Sequence, residues 1–159
     1  MIPTPREREV LNAYSVKLET DATDPPGFQV RYRRLGPLLG AGALLGATVY
    51  ELDPGERSCP YHYEIGNEEC LLVLAGTPIL RHPDGRDELA VGDLVTFADG
   101  ESGAHQLIND STEPVRVLFF STMHRPSASA YPDSGKIANP AGIFKIADAV
   151  DYWHGESAG

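Results

Sequence analysis

Short stretches of alternating apolar and polar residues run through this chain, separated by glycine, proline and aspartate. Phe28, Val30 and Tyr32 alternate with Gln29, Arg31 and Arg33, a period of two that predicts a strand with one buried face. Residues 44–52 read as a second strand, closed by the Pro54-Gly55 turn. Residues 61–64 are extended, and after a Gly66-Asn67 turn Glu69–Ala75 reads as a central strand rich in Leu and Val. Residues 77–82 and 86–91 flank Pro83-Asp84-Gly85, a hairpin signal because proline presets one turn dihedral and glycine tolerates a positive one. Gly92-Asp93 turns the chain into Leu94–Phe97, and further strands are predicted over 105–109 and 115–121. Short strands at regular spacing, with no convincing long helix and no internal repeat, predict an all-β domain, closed or sandwich-like.

The flanks differ from this pattern. Residues 1–27 mix charge, proline and weak helical spacing and end in the breaker cluster Asp24-Pro25-Pro26-Gly27, an arm leading into a domain over 28–122. From Met123 onward strand periodicity is lost, and residues 123–159, with YPDSGK at 131–136 and DYWHGE at 151–156, read as an ordered tail. That tail is expected to pack on the barrel or on a partner subunit.

Composition narrows the class. A chain of 159 residues with 42% apolar and 23% charged positions suits one globular domain, and 16 glycines and 13 prolines fit many turns. Thirteen basic against 23 acidic residues give a formal charge of -10, the wrong sign for a nucleic acid or an anionic membrane. Cys59 and Cys70 are too few for a disulfide framework and fit a reducing compartment. The first residues, MIPTPREREV, carry charges and prolines where a signal peptide needs an apolar segment, so a cytoplasmic location is expected. The apolar run 35–50 is interrupted by Pro37 and by Gly36, Gly40, Gly42 and Gly46, and reads as loop plus strand rather than a membrane span.

Candidate chemistry gathers between Gly55 and Gly76. His62 and Glu64 are two apart, so on a strand both leave the same face and can converge on one ion. Glu69 opens the next strand after a tight turn, and His105, which opens a strand behind a glycine-bearing loop, is the natural remaining ligand.

The order Gly55, His62, Glu64, Glu69, Gly76 resembles the first motif of the cupin superfamily, G-x5-H-x-H-x3,4-E-x6-G. Gly92, Gly100, His105 and Asn109 resemble the second, G-x5-P-x-G-x2-H-x3-N. One extra residue separates Gly55 from His62, Ala98 replaces the usual proline, the loop before His105 is two residues longer, and Glu64 replaces the second histidine. The likeness covers roughly residues 28–122, and the tail is similar to that of small bacterial cupins of the conserved-barrel type. It implies a jelly-roll β-barrel with iron, manganese, nickel or zinc inside its mouth, and a homodimer joined through sheets or exchanged arms.

A ligand set of His62, Glu64, Glu69 and His105 would formally neutralise a divalent metal ion and leave two positions of an octahedron open. Its oxygen share favours Mn²⁺ or Fe²⁺ over Zn²⁺ or Ni²⁺. The expected function is action on a small organic molecule, by oxygenation, decarboxylation or isomerisation, with no general acid or base named beyond the ligands. The alternative is a non-catalytic cupin that binds or senses a small molecule or a metal. Without an ion, Glu64 and Glu69 would be close like charges able to share a proton.

Other residues receive structural readings. Glu68 faces the opposite way from Glu69, although the alternative motif spacing would let it serve; Cys59 and Cys70 are structural thiols; His82 and His124 lie at the surface or rim, and His154 lies near the terminus. Tyr131, Tyr152 and Trp153 anchor the tail or line the mouth, and Asn109 satisfies backbone groups.

Overall fold

A computed structural model describes residues 10–40 and 42–157, so the first nine residues of the expected arm lie outside the described part. In chain order the elements are β1 (Glu19–Thr20), β2 (Arg31–Arg34), α1 (Gly36–Leu39), β3 (Leu45–Leu52), β4 (Tyr63–Ile65) and β5 (Glu69–Ala75). They continue as β6 (Ile79–His82), β7 (Gly85–Glu88), β8 (Leu94–Phe97), β9 (Gln106–Ile108) and β10 (Val115–Thr122). Three tail strands follow, β11 (Ala128–Tyr131), β12 (Lys136–Asn139) and β13 (Gly142–Lys145).

One sheet runs β1-β2-β3-β10-β5-β8, and every pairing in it is antiparallel. The facing layer has two parts, β7-β6-β9 and β13-β12-β11-β4, joined by the isolated pairings Arg57 to Ile108 and His62 to His105. Alternation explains how the layers meet. Leu71 and Val73 on β5 and Val115, Val117 and Phe119 on β10 share one face, and register sets Val117 beside Tyr50 and Val73, and Phe119 beside Thr48 and Leu71. Opposite them, Leu80 on β6 and Leu107 on β9 complete a core with Leu52, Leu89 and Phe97. Each such side chain removed from water contributes about 1.5–3 kcal/mol, enough to hold a two-layer jelly roll without cross-links.

The predicted hairpin forms with a shorter loop than its breaker triplet suggested, because Gly85, at φ 150, already pairs with His82 as the first residue of β7. Pro37 in the first turn of α1 suits a helix start, and the run after it becomes β3. Asn109 acts as expected: fully buried, it donates through Nδ2 to the carbonyls of Leu52 at 2.9 Å and Glu113 at 2.8 Å.

The tail departs from its reading. Where the sequence showed no strand period, β11, β12 and β13 form a meander that joins the second layer through β4. These strands are four residues long and largely half-buried or exposed, so the alternation that reveals a strand is faint in them. Tyr152 and Trp153 pack edge-to-face on each other and stay 85% and 74% exposed, so they anchor nothing within the described residues. In the arm, β1 pairs with β2 of the same chain, and Arg116 holds the carbonyl of Tyr14. No helix among the described residues is long and apolar enough to cross a membrane.

Candidate metal centre

Two histidines from one layer and a carboxylate from the other meet at the open end of the sandwich. His62 and His105 exchange both backbone hydrogen bonds, at 3.2 and 2.8 Å, so they sit directly opposite and their rings leave the same face. The ring centroids lie 4.8 Å apart. Glu69, first residue of β5, shares the inward face of Leu71 and Val73 and thereby enters the space between the layers.

The local hydrogen bonds aim these groups. His62 Nδ1 lies 3.0 Å from the carbonyl of Pro60, and His105 Nδ1 lies 2.9 Å from that of Gly103. A carbonyl only accepts, so each ring carries its proton on Nδ1 and presents a bare Nε2 to the interior. Glu69 Oε2 stands 3.3 Å from His105 Nε2 and 3.9 Å from His62 Nε2, and has no hydrogen-bond donor among the described residues. Three lone-pair-bearing atoms thus face one another within 4.8 Å. With no proton between them such an array is repulsive, and a cation resolves it. This donor set fits a divalent metal ion.

Electrostatics follow the same geometry. Burial, reinforced by the charge of Glu64, pushes the Glu69 carboxyl up to about 7. Burial, with His62 alongside, depresses His105 to about 4. His62 is lowered by burial too, against an opposing pull from Glu64. Both imidazoles are therefore neutral near neutrality, the state that ligates metal. Phe97 stacks on His105 at 3.8 Å and 16°, and Tyr131 stacks on His62 at 5.9 Å and 25°, which fixes both ring planes.

Glu64, the fourth expected ligand, falls outside this compact trio. Its Oε1 accepts a 2.9 Å hydrogen bond from Ser129 of β11, the residue directly across the strand pair, and lies 3.5 Å from His62 Nε2. Cys59 packs with Sγ 3.4 Å from His62 Nδ1, its thiol pushed up to about 12 by burial, which suits a structural role. His82 pairs with Asp87 at 3.2 Å, away from the site, whereas His124 lines it.

Above the trio opens a cavity of about 990 Å³. His62, Glu64, Glu69 and His105 form its floor with Phe119 and Tyr50, while Arg34, the glycine-rich segment after it, Met123, His124 and Arg125 form its walls and mouth. An open, largely apolar funnel over three convergent donors is a small-molecule site.

Comparison with known families agrees with this geometry. The cupin domain family matches residues 48–121, which span β3 to β10 and hold all four expected ligands. The chain carries a cupin domain. Among solved structures, a candidate sugar phosphate isomerase from Acidithiobacillus ferrooxidans is similar at 25% identity and a TM-score of 0.78, over 89% of this chain and 95% of that one. A sugar phosphate isomerase of the cupin superfamily from Silicibacter pomeroyi shares the fold at 21% identity and a TM-score of 0.74, over 91% and 98% of the two chains. A polyketide cyclase from Streptomyces resistomycificus shares it at 18% identity and a TM-score of 0.61, over 91% and 88%. No curated protein sequence matches the chain.

Several residues of this cupin site escaped the sequence reading. Gly103 supplies the carbonyl that orients His105, and a Cβ there would lie 1.9 Å from the Ala98 carbonyl oxygen. Its position in the lengthened loop was the available signal. Ser129 and Phe97 carry no motif, and Ser129 lies beyond the matched family segment.

Proposed function

We propose that this cupin holds one divalent metal ion on His62, Glu69 and His105 and isomerises a small phosphorylated sugar at that ion. The observation that carries the reading is the buried Glu69 oxygen, left without a donor and facing two bare Nε2 atoms at the floor of an open cavity. Among the three reaction classes the sequence left open, isomerisation is favoured by the similarity to the Acidithiobacillus ferrooxidans protein over nearly the full length of both chains.

When bound, the metal supplies Lewis acidity that polarises a carbonyl or hydroxyl oxygen. The chain supplies the rest. Pro60 and Gly103 hold the two imidazoles in the ligating tautomer. Phe119 and Tyr50 line the floor with apolar surface, and Phe97 backs the His105 ring. Glu64, oriented by Ser129, offers a carboxylate that takes a proton from one substrate carbon and returns it to the neighbouring one. Such an interconversion moves protons only and needs no oxidant.

A second reading has its own observation, because two histidines and one carboxylate are also the donor set of iron oxygenases. Metal analysis of the purified protein, followed by incubation with aldose and ketose phosphates in deuterated water, separates the two. Stoichiometric metal and deuterium incorporation into substrate are expected. Oxygen consumption without isotope exchange would favour the oxygenase, and absence of metal binding that His105→Ala could abolish would refute both.

A further inference from the structure

Of the described arginines of this acidic protein, four make ion pairs, and Arg34, Arg57, Arg86 and Arg125 do not. Arg31 pairs with Glu51 and Asp53, Arg33 with Glu19, Arg81 with Asp133 and Arg116 with Glu51. Arg34 and Arg125 make no ion pair among the described residues, and both line the mouth of the cavity. With a formal charge of -10 overall, acids are plentiful, yet neither guanidinium has a carboxylate at ion-pair distance, and Asp21 feels the charge of Arg34 only as the least of its influences. Two guanidinium groups without an ion-pair partner at the entrance of a pocket attract an anion and hold it by paired N–H donors.

Different segments bring them to the one cavity. Arg34 ends β2 on the same face as Tyr32, whose ring meets inward-facing Tyr50 at 6.3 Å, so its exposed side chain lies on the cavity side of the sheet, with the guanidinium 4.9 Å from the Tyr32 ring centroid. Arg125 follows β10, where Asn67 fixes the chain by accepting from the His124 N–H at 2.7 Å and from Thr122 Oγ1 at 3.1 Å. Register gives the span: Arg34 pairs with Thr48, Thr48 with Phe119 and Phe119 with Leu71, two residues along β5 from Glu69. Three strand steps separate the backbones by about 14 Å, and the extended arginine and glutamate side chains shorten the gap to the length of a small organic molecule.

We propose that Arg34 and Arg125 clamp the phosphate ester of the substrate at the cavity mouth while its reactive end lies over His62, Glu69 and His105. The proposal rests on the isomerase reading for the reactive end, but the anchor stands on its own geometry. His124 adds an imidazole to the same rim.

Calorimetric titration with inorganic phosphate, on the full chain with and without Mn²⁺, tests it. Arg34→Ala or Arg125→Ala should each weaken phosphate binding about tenfold, the usual loss for one charge-assisted contact, and the double variant should abolish it. Exposed Arg86→Ala should change nothing, and a parallel Mn²⁺ titration should be the same in all variants. Unchanged phosphate affinity in the double variant, with Mn²⁺ binding intact, overturns the anchor. Tighter arginine-dependent binding of succinate than of phosphate overturns the ester assignment. Failure of the wild type to bind Mn²⁺ while arginine-dependent phosphate binding persists supports the anchor and refutes the metal-centred reading instead.

Discussion

Glu69→Gln should stabilise the metal-free protein and destroy its metal site, and the size of the gain follows from burial. The Glu69 carboxyl is raised from 4.5 to about 7 in the fold, first by loss of solvent and then by the charge of Glu64. A carboxyl whose folded value exceeds its unfolded value penalises the folded state as pH climbs between the two, and the full penalty is present above the higher one. At 1.36 kcal/mol per unit, the cost of charged Glu69 approaches about 3 kcal/mol near pH 8 and falls below about 1 kcal/mol near pH 5. Glutamine keeps the shape without the charge. Urea denaturation of chelator-treated protein should therefore show Glu69→Gln more stable by up to about 3 kcal/mol near pH 8 and nearly equal near pH 5. Mn²⁺ at a thousand times its dissociation constant should reverse the order, since it stabilises only the binding-competent wild type, by about 4.1 kcal/mol. Equal stability of the two proteins near pH 8 in chelator would refute the picture of a buried, donorless carboxylate waiting for a cation.

Three further outcomes test neighbouring parts of the argument. Gly103→Ala should cost about 3 kcal/mol in denaturation experiments because its Cβ would overlap the Ala98 carbonyl, whereas Gly100→Ala, at φ 87 in open space, should cost about 1 kcal/mol. Mn²⁺ affinity should fall about tenfold per pH unit below the Glu69 value of about 7 and level off above it, as titration with proton-release measurement would show. His105 adds no slope of its own until its depressed value of about 4. Glu64→Gln should retain stoichiometric Mn²⁺ and lose solvent deuterium exchange into substrate; a drop in metal affinity beyond about tenfold would instead make Glu64 a ligand.

Much of the domain was legible in the chain because its core strands obey a strict period of two. Leu71 and Val73, and Val115, Val117 and Phe119, sit on the inward face that alternation assigns them, and the same parity carries Glu69 inward while Glu68 stays exposed. The tail was less legible, for β11 to β13 owe their pairing to the neighbouring β4 rather than to their own pattern. Glu64 shows the consequence. Its place in the motif was visible, but its partner Ser129 lies 65 residues away on a strand the sequence did not reveal.

By itself, then, the chain determined an all-β domain, the inward parity of Glu69, and the presence of His62 and His105 at strand starts, because these depend on local alternation and turns. Only the tertiary structure decided that three of the four expected ligands converge, that Pro60 and Gly103 orient the two rings, and that Arg34 and Arg125 face one cavity. Those relations join residues from different strands and layers, where distance is set by register and packing rather than by position along the chain.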